Sequence, residues 1–235
     1  MSTQYFILSK LNGSKTDDNT HNQIYSLIPN EVHLLPRTNL SYYAEHGLFE
    51  CQLIEWCKQF CHKDKAFLDI GAHSGTYSIS LSAYVKHVYS FEPQKMTYYA
   101  LCGSVALSNK DNITCLQCGL GSKSQTGKQT LKIVSNDGGG SSLHSTSGIL
   151  REEQIQLNTL DSFELTDIGF IKMDVEENEL YVLQGAVQTL EKNQYPRILF
   201  ESNFENQQLF EFIKGLGYTI IPVGGCKNMY LATHS

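Results

Sequence analysis

Phe67-Leu68-Asp69-Ile70-Gly71-Ala72-His73-Ser74-Gly75-Thr76 is the stretch on which the reading of the fold turns. Residues 66–70 form a short apolar run carrying an acid near its end. The run opens into a turn with two glycines, and an apolar pattern at helical spacing follows from Tyr77 to Val85. A strand, a tight turn and a helix make a βα unit, and ligands of such units sit outside the carboxyl end of the strand. The spacing Gly71-x-x-x-Gly75 differs from the G-x-G-x-x-G turn that cradles a pyrophosphate. Gly71 would let the backbone approach a ligand, and Gly75 would allow tight packing at the helix start. Asp69 suits a ligand with an ammonium group, such as the methionine part of S-adenosylmethionine.

The same alternation extends outward in both directions. Upstream, Phe49, Leu53, Trp56, Cys57 and Phe60 share one helical face. Downstream come strands at 87–91, 113–117, 155–160, 170–175 and 197–200, the last closing on Glu201. Helical patterns fall at 98–107, at 207–216, and on Leu180, Leu183, Val187 and Leu190. Two late strands, 218–223 and 229–232, flank Gly224-Gly225, a hairpin signal. The order predicts a Rossmann-like α/β fold: a mostly parallel seven-stranded sheet with helices on both faces and a C-terminal antiparallel hairpin. Residues 41–235 form one domain in this reading. Residues 1–40 form an extension, polar at 9–23 and strand-like at 32–35, which is either a disordered leader or an arm over the active site. Residues 119–148 are rich in Gly, Ser and Thr and predict a long flexible loop, with one strand-like piece at 131–134.

Composition narrows the function. The net charge is −6 and no Lys/Arg block occurs, which argues against nucleic-acid binding. No apolar run approaches the roughly 20 residues that span a bilayer, and the N-terminus lacks a secretory apolar segment, so a cytoplasmic protein is expected. Seven cysteines in a chain of 235 residues do not suggest a disulfide framework. Cys115 and Cys118 form a single C-x-x-C, better read as free structural thiols than as a zinc site.

Two further constellations carry chemistry. Glu92, at the end of the strand 87–91, can accept both hydroxyls of a ribose, a device that nicotinamide enzymes also use. In Lys172-Met173-Asp174-Val175-Glu176, strand alternation would point Lys172, Asp174 and Glu176 to one side. A carboxylate kept ionised by the lysine can take a proton from a hydroxyl. Asp174 and Glu176 are equally candidate ligands for a divalent metal. His144, in the Gly/Ser-rich loop, is a second candidate base. The pairs Tyr42-Tyr43 and Tyr98-Tyr99 are candidates to line a sugar-binding cleft.

Taken in order, the pieces FLDIGAHSGT (67–76), YSFEP (89–93), LNTLDSF (157–163), IKMDVEENELYVLQGA (171–186) and ILFES (198–202) resemble the FkbM family of methyltransferases. The resemblance spans roughly residues 47–202. It implies a class I methyltransferase fold, S-adenosylmethionine as cofactor, and transfer to oxygen, often on sugars, glycolipids or macrolide-type products. It assigns the donor site to Asp69, Gly71, Ala72, His73 and Gly75, to Glu92 and Pro93, and to Cys118 and Gly119 beside the adenine. Lys172, Asp174, Glu176 and Glu179 match the family's K-x-D-x-E-x-x-E pattern. Two departures stand out: His73, where the family often has Asn, and Glu177, where Gly is usual and a side chain could narrow the site. The alternatives are a Rossmann-type oxidoreductase, disfavoured by the missing G-x-G-x-x-G, and a silent cofactor-binding module. Neither acceptor nor oligomeric state is legible.

Overall fold

The computed structural model describes residues 5–10, 31–202 and 206–234. The strand of the opening motif, β3 (Ala66–Ile70), lies at the centre of the main sheet and is buried along its whole length. Before it come a two-stranded ribbon, β1 (Tyr5–Lys10) and β2 (Glu31–Pro36), and two short helices, α1 (Leu40–His46) and α2 (Cys51–Cys57). After it follow α3 (Thr76–Ser82), β4 (His87–Phe91), α4 (Lys95–Leu107) and β5 (Ile113–Leu116). The chain continues through β6 (Gly119–Leu120), β7 (Gly127–Ile133), β8 (Arg151–Asn158), β9 (Ile168–Met173), α5 (Glu179–Gln184) and α6 (Val187–Lys192). It closes with β10 (Arg197–Glu201), α7 (Gln207–Gly215), β11 (Tyr218–Pro222) and β12 (Met229–His234).

The main sheet has seven strands in the order β11-β12-β10-β9-β3-β4-β5, and only β12 runs antiparallel to its neighbours. The chain winds outward from β3 through β4 to β5, then returns to place β9 on the other side of β3. That reversal opens a crevice at the carboxyl ends of β3 and β9, where open α/β sheets bind ligands. Alternation along the strands feeds two cores. Leu68, Ile70, Ile171, Met173, Ile198 and Phe200 pack on one face, and Phe67, Val88, Phe170 and Leu199 on the other.

Three expectations need correction. The stretch 119–148 is not one loop, because β6, β8 and β7 form a second sheet around Leu131, Ile133, Ile155 and Leu157. The long irregular stretch is confined to residues 134–150. The helix expected through Leu180 and Leu190 is two helices, broken at Gly185, where a side chain would strike the Gly121 carbonyl oxygen. Asp161, from the piece LNTLDSF, serves that break: its carboxylate accepts the Thr189 amide at 2.8 Å and the Gln188 amide at 3.3 Å at the start of α6.

The described part of the extension is no free leader. The outer edge of β2 docks on α4, with the Val32 amide donating to Ser108 Oγ at 2.8 Å and the Leu34 amide to Ser104 Oγ at 2.9 Å. Gly103 leaves room for Leu34 between them. The polar stretch expected at 9–23 lies largely outside the described residues. No helix among those described is long and apolar enough to cross a membrane.

Candidate active site

A cavity of about 310 Å³ opens at the crevice between β3, β4 and β9, of a size suited to a small-molecule ligand. Its floor is the turn after β3. Gly71 has φ +79, and a Cβ there would come within 1.8 Å of the Asp174 carbonyl oxygen. Glycine is therefore required by the approach of two backbones, the turn and the end of β9. Gly75, at φ +91, lies against Leu101 and does not reach the cavity, consistent with a packing role.

Glu92 lies on the cavity wall, almost wholly buried. Its two carboxylate oxygens accept the amides of His73 and Gln94, each at 2.9 Å. Burial pushes its pKa up to about 7. A carboxylate offers about four acceptor sites, so two remain for hydroxyl donors that would relieve that desolvation. Beside it Pro93, Gly119, Leu120 and Leu157 wall an apolar slot. An acid fit for a diol next to an apolar slot matches the adenosine half of S-adenosylmethionine.

Asp69 stands behind the wall. Its Oδ2 accepts the Ser78 hydroxyl at 2.5 Å, and in the sheet it lies in register with Lys172 on β9 and Ser90 on β4. Burial raises its pKa. Asp69 does not line the cavity itself, and it interacts electrostatically with Lys172. Cys118 is likewise buried outside the wall, while Gly119 and Ala72 are on it. Burial pushes the Cys115 and Cys118 thiols up to about 12 and about 11, which disfavours the reactive thiolate, and all seven cysteines are free.

Lys172 is 4% exposed, and its Nζ donates to the Gly71 carbonyl and to Asp174 Oδ2, both at 3.2 Å. Burial alone pulls its pKa down, but Asp174 and Asp69 outweigh that and hold it above the ordinary lysine value. Asp174 lies on the wall. Burial pushes its carboxyl up, yet Lys172 and a hydrogen bond from Glu201 hold it below the usual range. Glu201, at the end of the neighbouring strand β10, is pushed up to about 8 by burial and by Asp174. The two shifts run in opposite directions, so the pair favours the proton on Glu201 and the charge on Asp174 beside Lys172.

The strand ends at Met173, before Glu176 can share its alternation. Glu176 and Glu177 instead adopt left-handed backbone, φ +53 and +73. Glycine is the residue that adopts this conformation freely, which explains why Glu177 is a departure in local backbone terms. The Glu177 side chain is not part of the cavity lining. Glu176 does line it, with Oε1 accepting the Gly140 amide at 2.8 Å. Glu179 turns back to cap the Val175 amide at 3.0 Å.

His144 is exposed and absent from the wall. Its Nε2 lies 3.1 Å from Asn178 Oδ1, and its ring stacks on Tyr181. It does not join Asp174 at the cavity. His73 does, at φ +50. Burial lowers its pKa, so the ring is neutral, and Nε2 donates to the Asp137 carbonyl at 2.8 Å. Asp137 is a knot: its carboxylate accepts from Thr38, Asn39, Ser135 and the Gly139 amide, tying the irregular loop to the extension. Tyr43 lines the cavity, but Tyr98 and Tyr99 on α4 do not. Among the described residues no group of three or more His, Cys, Asp or Glu is placed to hold a metal ion.

Glu50 and Asp137 line the cavity and carried little signal. Asp137 sits in a Gly-rich run that reads as a turn, and Glu50 reads as a surface acid. Glu201 had a signal, as an acid closing a strand in the same way as Glu92.

Residues 69–220, more than half of the chain, match the methyltransferase FkbM domain. The chain belongs to the FkbM methyltransferase family. Solved structures agree on the fold. An FkbM methyltransferase from Methylobacillus flagellatus KT superposes with a TM-score of 0.52 at 17% identity, covering 73% of this chain and 44% of that one. The chain thus matches under half the length of that relative. A precorrin-6y C5,15-methyltransferase from Geobacter metallireducens GS-15 gives 0.51 at 12% identity, with 80% and 90% covered. An rRNA methylase from Streptococcus thermophilus gives 0.51 at 12%, with 78% and 95% covered. No curated protein matches the chain. This FkbM domain is a class I methyltransferase that uses S-adenosylmethionine, which sets the oxidoreductase alternative aside.

Proposed function

We propose that this FkbM domain methylates a hydroxyl of a sugar in a glycan or glycoconjugate, with Asp174 as the base. S-adenosylmethionine, when bound, supplies an electrophilic methyl group. Glu92 and the slot of Pro93, Gly119 and Leu157 fix the adenosine, and the turn at Gly71–His73 lies along the remainder. The observation that carries the reading is Asp174: a carboxylate on the cavity wall, paired at 3.2 Å with the buried Lys172, which holds its pKa down. A hydroxyl oxygen that gains a methyl group becomes strongly acidic, so a carboxylate held low is still basic enough to take its proton. Lys172 keeps Asp174 ionised and oriented, and most of the rate then comes from alignment of the reactants. Glu176 supports the wall through Gly140.

The net charge of −6 also favours a small or glycan acceptor over nucleic acid, and the lack of an apolar run long enough to span a bilayer supports a cytoplasmic enzyme. Incubating the protein with methyl-labelled donor and a glycan panel, followed by mass spectrometry, tests the reaction. The expected result is a mass gain of one methyl on a hydroxyl-bearing sugar, absent with Asp174→Asn. Methylation confined to amines, carboxylates or non-sugar alcohols contradicts it.

A further inference from the structure

We infer that Tyr43, Phe49 and Glu50, at the junction of α1 and α2, form the acceptor subsite, and that it takes an uncharged or amine-bearing sugar ring and rejects phosphorylated or carboxylated ones. This rests on the sugar reading above and adds the residues and the charge class.

With the donor assigned to the Glu92 side, the α1–α2 junction remains as the part of the lining that connects through Tyr77 to Lys172. Phe49 stacks on Tyr42 with centroids 4.1 Å apart and planes 16° apart, and Tyr43 meets Phe49 edge-on at 4.9 Å. Tyr42 rests in turn against His46 at 4.8 Å. The rings hold one another in place, yet Phe49 and Tyr42 each remain 38% exposed. Pre-packed rings at a cavity mouth offer a flat apolar surface at little entropic cost, which suits the C–H face of a pyranose.

Glu50 supplies the polar half. It lines the cavity at φ +57, an unfavourable conformation for a non-glycine residue at this bend. Its Oε2 accepts the Tyr77 hydroxyl at 2.8 Å, which orients the carboxylate and leaves acceptor capacity for hydroxyl or ammonium donors. The Tyr77 ring also faces Lys172 Nζ at 5.2 Å, so Glu50 and the reaction centre form one connected cluster.

Charge decides the class. The wall carries Glu50, Glu92, Asp137, Asp174 and Glu176 against a single lysine, Lys172, among the described residues. That lysine is already engaged by Asp174 and the Gly71 carbonyl. A phosphate or carboxylate entering here would meet like charges and no free cation.

The test is ligand-detected saturation-transfer NMR on protein loaded with S-adenosylhomocysteine. The probes are a methyl glucoside, a neutral trisaccharide, glucosamine, glucose 6-phosphate and glucuronate. Transfer is expected to the first three, with at least tenfold weaker binding of the two anions. Phe49→Ala and Glu50→Gln should each reduce sugar binding at least fivefold. Calorimetric affinity for S-adenosylhomocysteine, which also reports folding, should stay within twofold. Equal or better binding of the anions overturns the charge class. Sugar binding unchanged in both variants overturns the subsite. A tenfold loss of S-adenosylhomocysteine affinity in Glu50→Gln would assign that residue to the donor instead. If no sugar binds at all, the sugar reading falls and this inference with it.

Discussion

Asp174 is paired with a buried cation, Lys172, and its chemistry follows from that position. Replacing it by Asn keeps the shape but removes the acceptor of the proton. Turnover by Asp174→Asn should fall by about 100-fold or more, while donor affinity measured by calorimetry stays within a few-fold. A rate within tenfold of wild type would remove Asp174 from the mechanism. Gly71 makes a second, purely steric demand. Gly71→Ala places a methyl group on the Asp174 carbonyl, so thermal unfolding should register a loss of about 2 kcal/mol or more, with weakened donor binding. Lys172 and Asp174 were legible in the sequence because they interrupt an apolar strand. Asp69 and Glu176 were legible as site residues but not in their geometry. The first is turned to Ser78, and the second lies beyond a strand end that residue types alone do not fix.

At the scale of elements, the irregular segment 134–150 is held by Asp137. That residue joins His73 of the donor turn, Thr38 and Asn39 of the extension, and its own loop. Asp137→Ala should therefore speed protease nicking within 134–143 and weaken donor binding, since Gly138 and Gly139 line the cavity. Nicking at the wild-type rate would show that the knot holds nothing. The βα units were legible from period and turn residues. The second sheet was not, because β8 begins with the charged run Arg151-Glu152-Glu153 and buries only Ile155 and Leu157. Nor was the docking of β2, which uses hydroxyls of Ser104 and Ser108 that look, in sequence, like ordinary helix residues.

For the whole molecule, buried acids set the pH response. Burial raises Glu92 and Glu179 to about 7 and Glu201 to about 8, against an ordinary value near 4.3. The folded chain then binds more protons than the unfolded chain between those limits, so stability falls as pH rises through that window. Asp174 acts oppositely, losing its contribution only in acid as pH falls through its depressed value. The melting temperature of the ligand-free protein should drop between pH 6 and 8.5, and Glu201→Gln should shrink that drop; an equal drop in the variant would contradict the assignment. The central claim is that the cavity beside Glu92 is a site for S-adenosylmethionine. Calorimetric titration of wild type and Glu92→Ala with S-adenosylmethionine, and of wild type with NAD, tests it most directly. The account predicts one site for S-adenosylmethionine, about one to two decades weaker in Glu92→Ala, and no comparable heat with NAD. Wild-type affinity in Glu92→Ala, or NAD bound more tightly than S-adenosylmethionine, would contradict it.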